Sequence, residues 1–307
     1  MKIDEGTKLD FADILLKPKR STICSRADVD ITRTYKFRSG GSWTGIPIIA
    51  ANMKSIVTYE LIEAFKKHDM LVAYPKKLGW QLQRNTFYTY GINDYVAPTS
   101  GGFICFDVAN GYQERFVDFI KVYRETSPMS TIIAGNVVSA EMTEALILAG
   151  TDIVKVGLGS GSACSTREIV GVGIPQASAL SECVDSAHGL GAHIIADGGC
   201  KTPGDICKAF GIGADFVCIG GMLAGHRETG TEFYGESSKR ANEERYGGLK
   251  PHRAAEGLEL RVEPRGSLED TLQQIEGGLR SACAYVGARR LKDLPKCATF
   301  IKVNRVK

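Results

Sequence analysis

The chain has 307 residues, and 38 lysines and arginines stand against 35 aspartates and glutamates, a formal net charge of +3. This near balance gives no electrostatic case for nucleic acid or an anionic membrane, and no stretch of about 20 apolar residues is present to span a bilayer. The length suits one large α/β domain about as well as two smaller ones.

Taken in chain order, the first residues, Met1 to Glu5, lack the apolar core of a secretory leader. Short, near-continuously apolar runs then recur at Ile46–Asn52, Leu71–Tyr74, Phe103–Ala109, Thr131–Asn136, Ile153–Gly157, His193–Gly199 and Phe216–Gly221. Runs of this kind read as strands buried on both faces of a parallel sheet. Helical spacing is predicted between them over Ala140–Leu148, Ala177–His188 and Pro203–Phe210, with Pro203 suited to a first turn. A further helix is predicted over Leu268–Ala284, before a short apolar tail, Thr299–Val303.

Alternation over most of the chain predicts an α/β fold, a (β/α)8 barrel spanning 1–307 as one domain. An open doubly wound sheet is the alternative, weakened because no Gly-x-Gly-x-x-Gly opens a helix after the first strand. Asp94–Ser100 also reads as a strand, yet only Gly101-Gly102 separates it from Phe103. Parallel neighbours need a crossover of about a dozen residues, so it is no barrel strand, or a helix is lost near Gly101. Residues 225–265 are polar and glycine-punctuated with no clean strand, which predicts a flap over the site or a mobile loop.

The nine cysteines form no C-x-x-C pair and match no zinc spacing. Such usage fits a reducing cytosol, and Cys105, Cys183, Cys207, Cys218 and Cys297 read as small core hydrophobes. Cys164 differs. It sits in Gly159-Ser160-Gly161-Ser162-Ala163-Cys164-Ser165-Thr166-Arg167, directly after an apolar strand. A thiol there can gain thiolate character from backbone N–H groups and a nearby cation such as Arg167. Asp197-Gly198-Gly199 and Gly220-Gly221 end two later strands, where barrels commonly bind phosphate on backbone N–H groups. Asp197 could accept from a ribose hydroxyl pair, and Asp107 and Asn136 end strands at the same mouth.

These motifs resemble the family of IMP dehydrogenases and GMP reductases over nearly the whole length. Asp10–Pro18, the Gly159–Arg167 loop and Asp197-Gly198-Gly199 match the family as a whole. Asp107–Tyr112, Arg253–Gly257 and Gly277–Gly287 resemble its reductase branch, as does the lack of a large regulatory insertion. The resemblance implies NADPH-dependent reduction of GMP to IMP and ammonia in purine salvage, through a thioimidate on Cys164. By that similarity Thr166 relays the proton for the leaving amine and Glu256 sets up the relay.

The same resemblance places GMP on Asp197, Gly198, Gly199, Gly220, Gly221, Gly235, Glu236, Ser237, Arg253 and Gly257. It places the cofactor near Ser25, Arg26, Asp107, Val108, Ala109, Asn136, Leu158, Gly159, His252, Ser281, Ala282, Cys283 and Ala284, partly across a subunit boundary. A cytoplasmic homotetramer is therefore expected. Carbonyls of Gly159, Gly161, Cys164 and Arg167 match a potassium loop. Three features depart from the pattern. Glu236 stands where methionine is usual. Tyr74-Pro75-Lys76-Lys77 replaces His-Lys-His, which leaves the cofactor lysine open between Lys76 and Lys77. The stretch before Tyr234 is short, as if a hairpin were absent. Two readings compete with the reductase. One is a dehydrogenase using Arg245-Tyr246 to activate water. The other is a relative that binds nucleotide without catalysis.

Overall fold

The computed structural model describes residues 3–94, 96 and 101–303. Its first strand, β1 (Ile14–Leu16), pairs antiparallel with the last, β14 (Phe300–Lys302). A hairpin follows, β2 (Arg33–Lys36) and β3 (Ser42–Gly45). Eight parallel strands then close into a barrel: β4 (Ile48–Ala50), β5 (Leu71–Tyr74), β6 (Thr86–Tyr90), β7 (Phe103–Asp107), β8 (Thr131–Val137), β9 (Ile153–Val156), β10 (His193–Asp197) and β11 (Phe216–Ile219). Closure comes from β11 pairing back onto β4, Val217 opposite Ile48. The barrel expectation is borne out, and the open-sheet alternative is overturned by that pairing.

Helices coat most of the ring: α1 (Tyr59–Lys67), α2 (Glu114–Thr126), α3 (Ala140–Leu148), the single turn α4 (Thr166–Ile169), α5 (Gln176–Gly189) and α6 (Pro203–Ile212). After β11 come the flap-segment helix α7 (Lys239–Tyr246) and the long α8 (Leu268–Val286). Local chemistry sets several of their starts. Thr202 caps α6 by accepting from Asp205 N–H at 3.3 Å while Asp205 accepts back from Thr202 N–H at 3.1 Å, with Pro203 in the first turn. Thr58 caps α1 through Leu61 N–H at 3.1 Å.

Alternation along each strand sorts side chains into two cores. Ile49, Phe87, Ile133, Ile153, Ile195 and Phe216 point inward, while Ile48, Ile104, Val154 and Ile194 point out onto the helices. The β2–β3 hairpin stoppers the N-terminal end of the barrel with Tyr35, Phe37 and Trp43. The Tyr35 and Phe216 rings lie 4.4 Å apart between centroids. Beside them Asp215 is buried against Arg33 (3.3 Å), His188 (2.9 Å) and His193 (3.4 Å). The opposite end is left for chemistry.

Two sequence expectations change. The strand before β7 is Thr86–Tyr90, an aromatic and β-branched run, and most of the Asp94–Ser100 stretch lies outside the described residues. Residues 75–85 join β5 to β6, and 91–102 join β6 to β7; no helix occurs there among the described residues. Trp80 partly covers the gap, its ring 6.1 Å from that of Tyr74 and its carbonyl accepting from Tyr88 at 2.5 Å. The 225–265 segment is also more ordered than its composition suggests. It holds a short antiparallel ladder, β12 (Glu232–Tyr234) with β13 (Glu259–Arg261), and α7 between them.

Candidate active site

The strand C-termini of β4, β7, β8, β9, β10 and β11 surround a cavity of about 230 Å³. Cys164 lies on its wall, half-buried, just ahead of α4. Its Sγ donates to Thr166 Oγ1 at 3.2 Å, and Thr166 Oγ1 donates to Glu256 Oε2 at 2.7 Å. A thiol, a hydroxyl and a carboxylate separated by 90 positions of sequence thus form one proton path. Several other cysteines are shut into the core. Burial pushes the Cys105, Cys207 and Cys283 thiols up to about 12 and Cys183 to about 11, which keeps them protonated and inert. Cys105, Cys183, Cys207 and Cys218 are core residues as expected, whereas Cys297 is half-buried.

Glu256 reaches the sulfur because the flap segment lies against the cysteine loop as an added strand would. Leu258 N–H donates to Ala163 O and Ser165 N–H to Glu256 O, each at 2.9 Å, which brackets Cys164. Two positions here admit only glycine, Gly235 against the cysteine loop and Gly257 against the flap segment's own backbone. A Cβ on Gly257 would stand 2.5 Å from Ser238 N, and one on Gly235 2.5 Å from Ala163 O.

The cavity floor is charged. Lys155 projects inward from β9, is 4 % exposed, and pairs with Asp107 (2.5 Å) and Asp197 (3.1 Å). Asn136 Nδ2 donates to Asp197 at 2.7 Å and to Gly157 O at 2.9 Å. Lys76 donates to the Asp107 carbonyl at 2.6 Å. Burial pushes the Asp107 carboxyl up, but Lys155 and Lys76 outweigh it and lower the group to about 2. Burial likewise disfavours the Lys155 ammonium, and the two aspartates outweigh that and raise it.

Most of the sequence-predicted residues converge on this cavity. Asp107, Val108, Ala109, Asn136, Leu158, Gly159, Gly161, Asp197, Gly198, Gly199, Gly220, Gly221, Gly235, Glu236, Ser237 and Gly257 line it with Cys164, Thr166 and Glu256. Others do not. Arg167 spends its guanidinium on Asp10 (3.2 Å) and the Ile174 carbonyl (2.8 Å), so it is not the cation that serves the sulfur. The Gly199 N–H already donates to Ser160 O at 3.0 Å, which leaves it to lock the loop rather than cradle phosphate. His252 and Arg253 are exposed and off the cavity. Ser25 and Arg26 are exposed at a turn that packs on α8, the helix carrying Ser281, Ala282 and Ala284, and none of these lines the cavity; Cys283 of that helix is buried in the core.

The two lysines left open by the sequence take different positions. Lys76 enters the site, whereas Lys77 has a positive φ of 62° and turns outward over the Tyr246 ring, 4.6 Å from its centroid. Lys155, Asn52, Met53 and Ser162 line or support the cavity without having been read from the sequence. For Lys155 the signal was there: one charge inside the apolar run Ile153–Val156.

A family model for the IMP dehydrogenase / GMP reductase domain matches residues 97–306. Proteins named GMP reductase from Shigella flexneri, Escherichia coli O157:H7 and Enterobacter sp. (strain 638) are each 48% identical, covering 99% of this chain and 97% of their own length. The chain belongs to the IMP dehydrogenase / GMP reductase family. As a member it is an oxidoreductase, and its full-length relatives place it in the reductase branch. The Shigella alignment runs over 336 residues against 307 here, so that relative carries about 30 residues with no counterpart in this family member. The barrel here nonetheless has all eight strands, and no helix occurs in the β5–β6 or β6–β7 connection among the described residues.

Proposed function

We propose that the chain is an NADPH-dependent GMP reductase of purine salvage, converting GMP to IMP and ammonia through a thioimidate on Cys164. The observation that carries this reading is the Cys164–Thr166–Glu256 path. Glu256 takes the thiol proton through Thr166, and the thiolate adds to purine C2. The same path returns a proton to the departing amine. Bound beside Asp107, Asn136 and Lys76, NADPH would supply the hydride for C2. Collapse of the adduct then expels the thiolate and frees IMP.

Asp197 accepts from the ribose hydroxyls, and the Gly198 and Gly220-Gly221 turns receive the phosphate. Gly235, Glu236, Ser237 and Gly257 meet the base, where Glu236 accepts from the guanine N1–H side. Asp107, Asn136 and Lys76 face the nicotinamide end. Ser25, Arg26 and the Ser281–Ala284 face complete the cofactor site of a neighbouring subunit in a cytoplasmic homotetramer, because they lie off this chain's own cavity. The Gly159, Gly161, Cys164 and Arg167 carbonyls are neutral oxygen donors that suit potassium better than a divalent ion. Gly161 O accepts from Cys164 N–H at 3.0 Å, so that carbonyl is shared. The chain acts as one domain, with 225–265 as the flap.

The dehydrogenase reading loses support at Arg245-Tyr246. Arg245 is paired with Glu236, Tyr246 is exposed, and neither lines the cavity. The test is NADPH oxidation at 340 nm with GMP, with ammonia measured alongside. Equal consumption and release, abolished by Cys164→Ala, support the reductase; NADH formation from IMP and NAD instead would replace it. An inert Cys164 that GMP does not protect from alkylation would favour the non-catalytic reading.

A further inference from the structure

Lys155 occupies a position that stability alone does not explain. The barrel interior beneath it is apolar, built from Ile49, Phe87, Ile153 and Phe216. Replacing a whole buried ion cluster by apolar side chains is often neutral for stability, so packing alone does not call for charge here, although losing the ammonium alone would strand its carboxylates. Yet this ammonium sits between two carboxylates that both line the cavity, Asp107 at the end of β7 and Asp197 at the end of β10. Asp107 is 23 % and Asp197 21 % exposed to the cavity side, while Lys155 is 4 % exposed. Lysine is thus the buried partner and the aspartates are the presented ones.

We propose that Lys155 is a positioning residue: its ammonium ties Asp107 and Asp197 into one unit, fixing the ribose anchor relative to the carboxylate at the nicotinamide end. This rests on the roles assigned to those aspartates in the proposed function. The groups facing it are Asp107 and Cys105 from β7, Asp197 from β10, Cys218 from β11 and Lys76 from the loop after β5. Asn52 and Asn136 add neutral donors to the two carboxylates. Two ammonium groups therefore balance two carboxylates. Without Lys155, the Lys76 ammonium alone faces two carboxylates, and the excess negative charge is relieved by taking up a proton as pH falls.

GMP affinity of the full chain, measured by calorimetric titration between about pH 5.5 and pH 8.5, tests this. Lys155→Met is expected to weaken GMP binding roughly tenfold relative to wild type at the alkaline end, with the deficit shrinking toward the acid end. Lys155→Met/Asp107→Asn removes the repulsion and is expected to regain GMP affinity, although not turnover. A deficit that does not change with pH, or no deficit, overturns the proposal. Should Lys155→Met fail to fold, the double variant decides: it must fold and bind GMP, and its failure also overturns the tether. Wild-type protein that binds no GMP would instead sink the proposed function, and the tether with it.

Discussion

Glu256 stands one hydroxyl away from the sulfur, and its value lies in being able to accept a proton. Glu256→Gln preserves shape and removes that ability. It is expected to lower kcat by about 10²-fold or more, the usual worth of a positioned acid–base group, with KM for GMP little changed. Steady-state kinetics check this; a rise in KM with kcat intact would make Glu256 a binding group. Cys164 and its loop were legible as part of the cavity because glycines and hydroxyls surround one cysteine after a strand. Glu256 was legible only through a motif, since nothing in its charged surroundings marks it. Lys155 was passed over because a strand assignment averages over residues and hides the single charge that breaks the average.

The flap segment works as an element rather than as a loop. Its backbone brackets Cys164, and Gly257 beside that cysteine has no room for a Cβ against Ser237 and Ser238 of the same segment. Gly257→Ala pushes a methyl against Ser238 and is expected to cut kcat/KM by roughly 10²-fold, as misplacement of about 1 Å does, while circular dichroism stays native. Unchanged kinetics would show the flap contact to be dispensable. Elsewhere, His68 at the end of α1 clips α8 through Glu276 (2.5 Å) and Glu269 (2.9 Å). Burial disfavours its charged form, and the two glutamates outweigh this and raise it above the usual 6.5. A raised value means that the clip is fully formed below 6.5 and lost as pH rises through the folded value. Melting temperature should therefore fall as pH rises from about 6.5 toward 8, and His68→Asn should flatten that fall. Helices with clean caps and period were legible in sequence. β6 was missed because Thr86-Phe87-Tyr88-Thr89-Tyr90 carries aromatic hydroxyls that blur an apolar run, and β12–β13 because three-residue strands leave no period to read.

At the closed end of the barrel, Asp215 binds the stopper hairpin to the ring through Arg33, and to α5 and β10 through His188 and His193. Burial pushes its carboxyl up, but the histidine hydrogen bonds outweigh that and hold it below the usual 3.8. The depressed value places its stability above the unfolded pKa and removes it as pH falls through the folded one. Asp215→Asn should cost about 3 kcal/mol near neutral pH, the scale for breaking a buried ion pair, and should blunt acid unfolding. Denaturant titrations at two pH values check both parts.

The thin coat around β6 has a consequence for how the molecule fails. Strands β7 to β11 are backed by α2, α3, α5, α6 and α8, and β5 by α1, whereas no helix follows β5 or β6 among the described residues. Local opening favours regions with little packed cover, so gentle heating or a protease should breach the ring at 75–85 first. Lys76 hangs from that weak wall; Cys164 and Asp197 hang from the strong one. Ageing or warmed enzyme should accordingly forget its reductant while it still remembers its nucleotide.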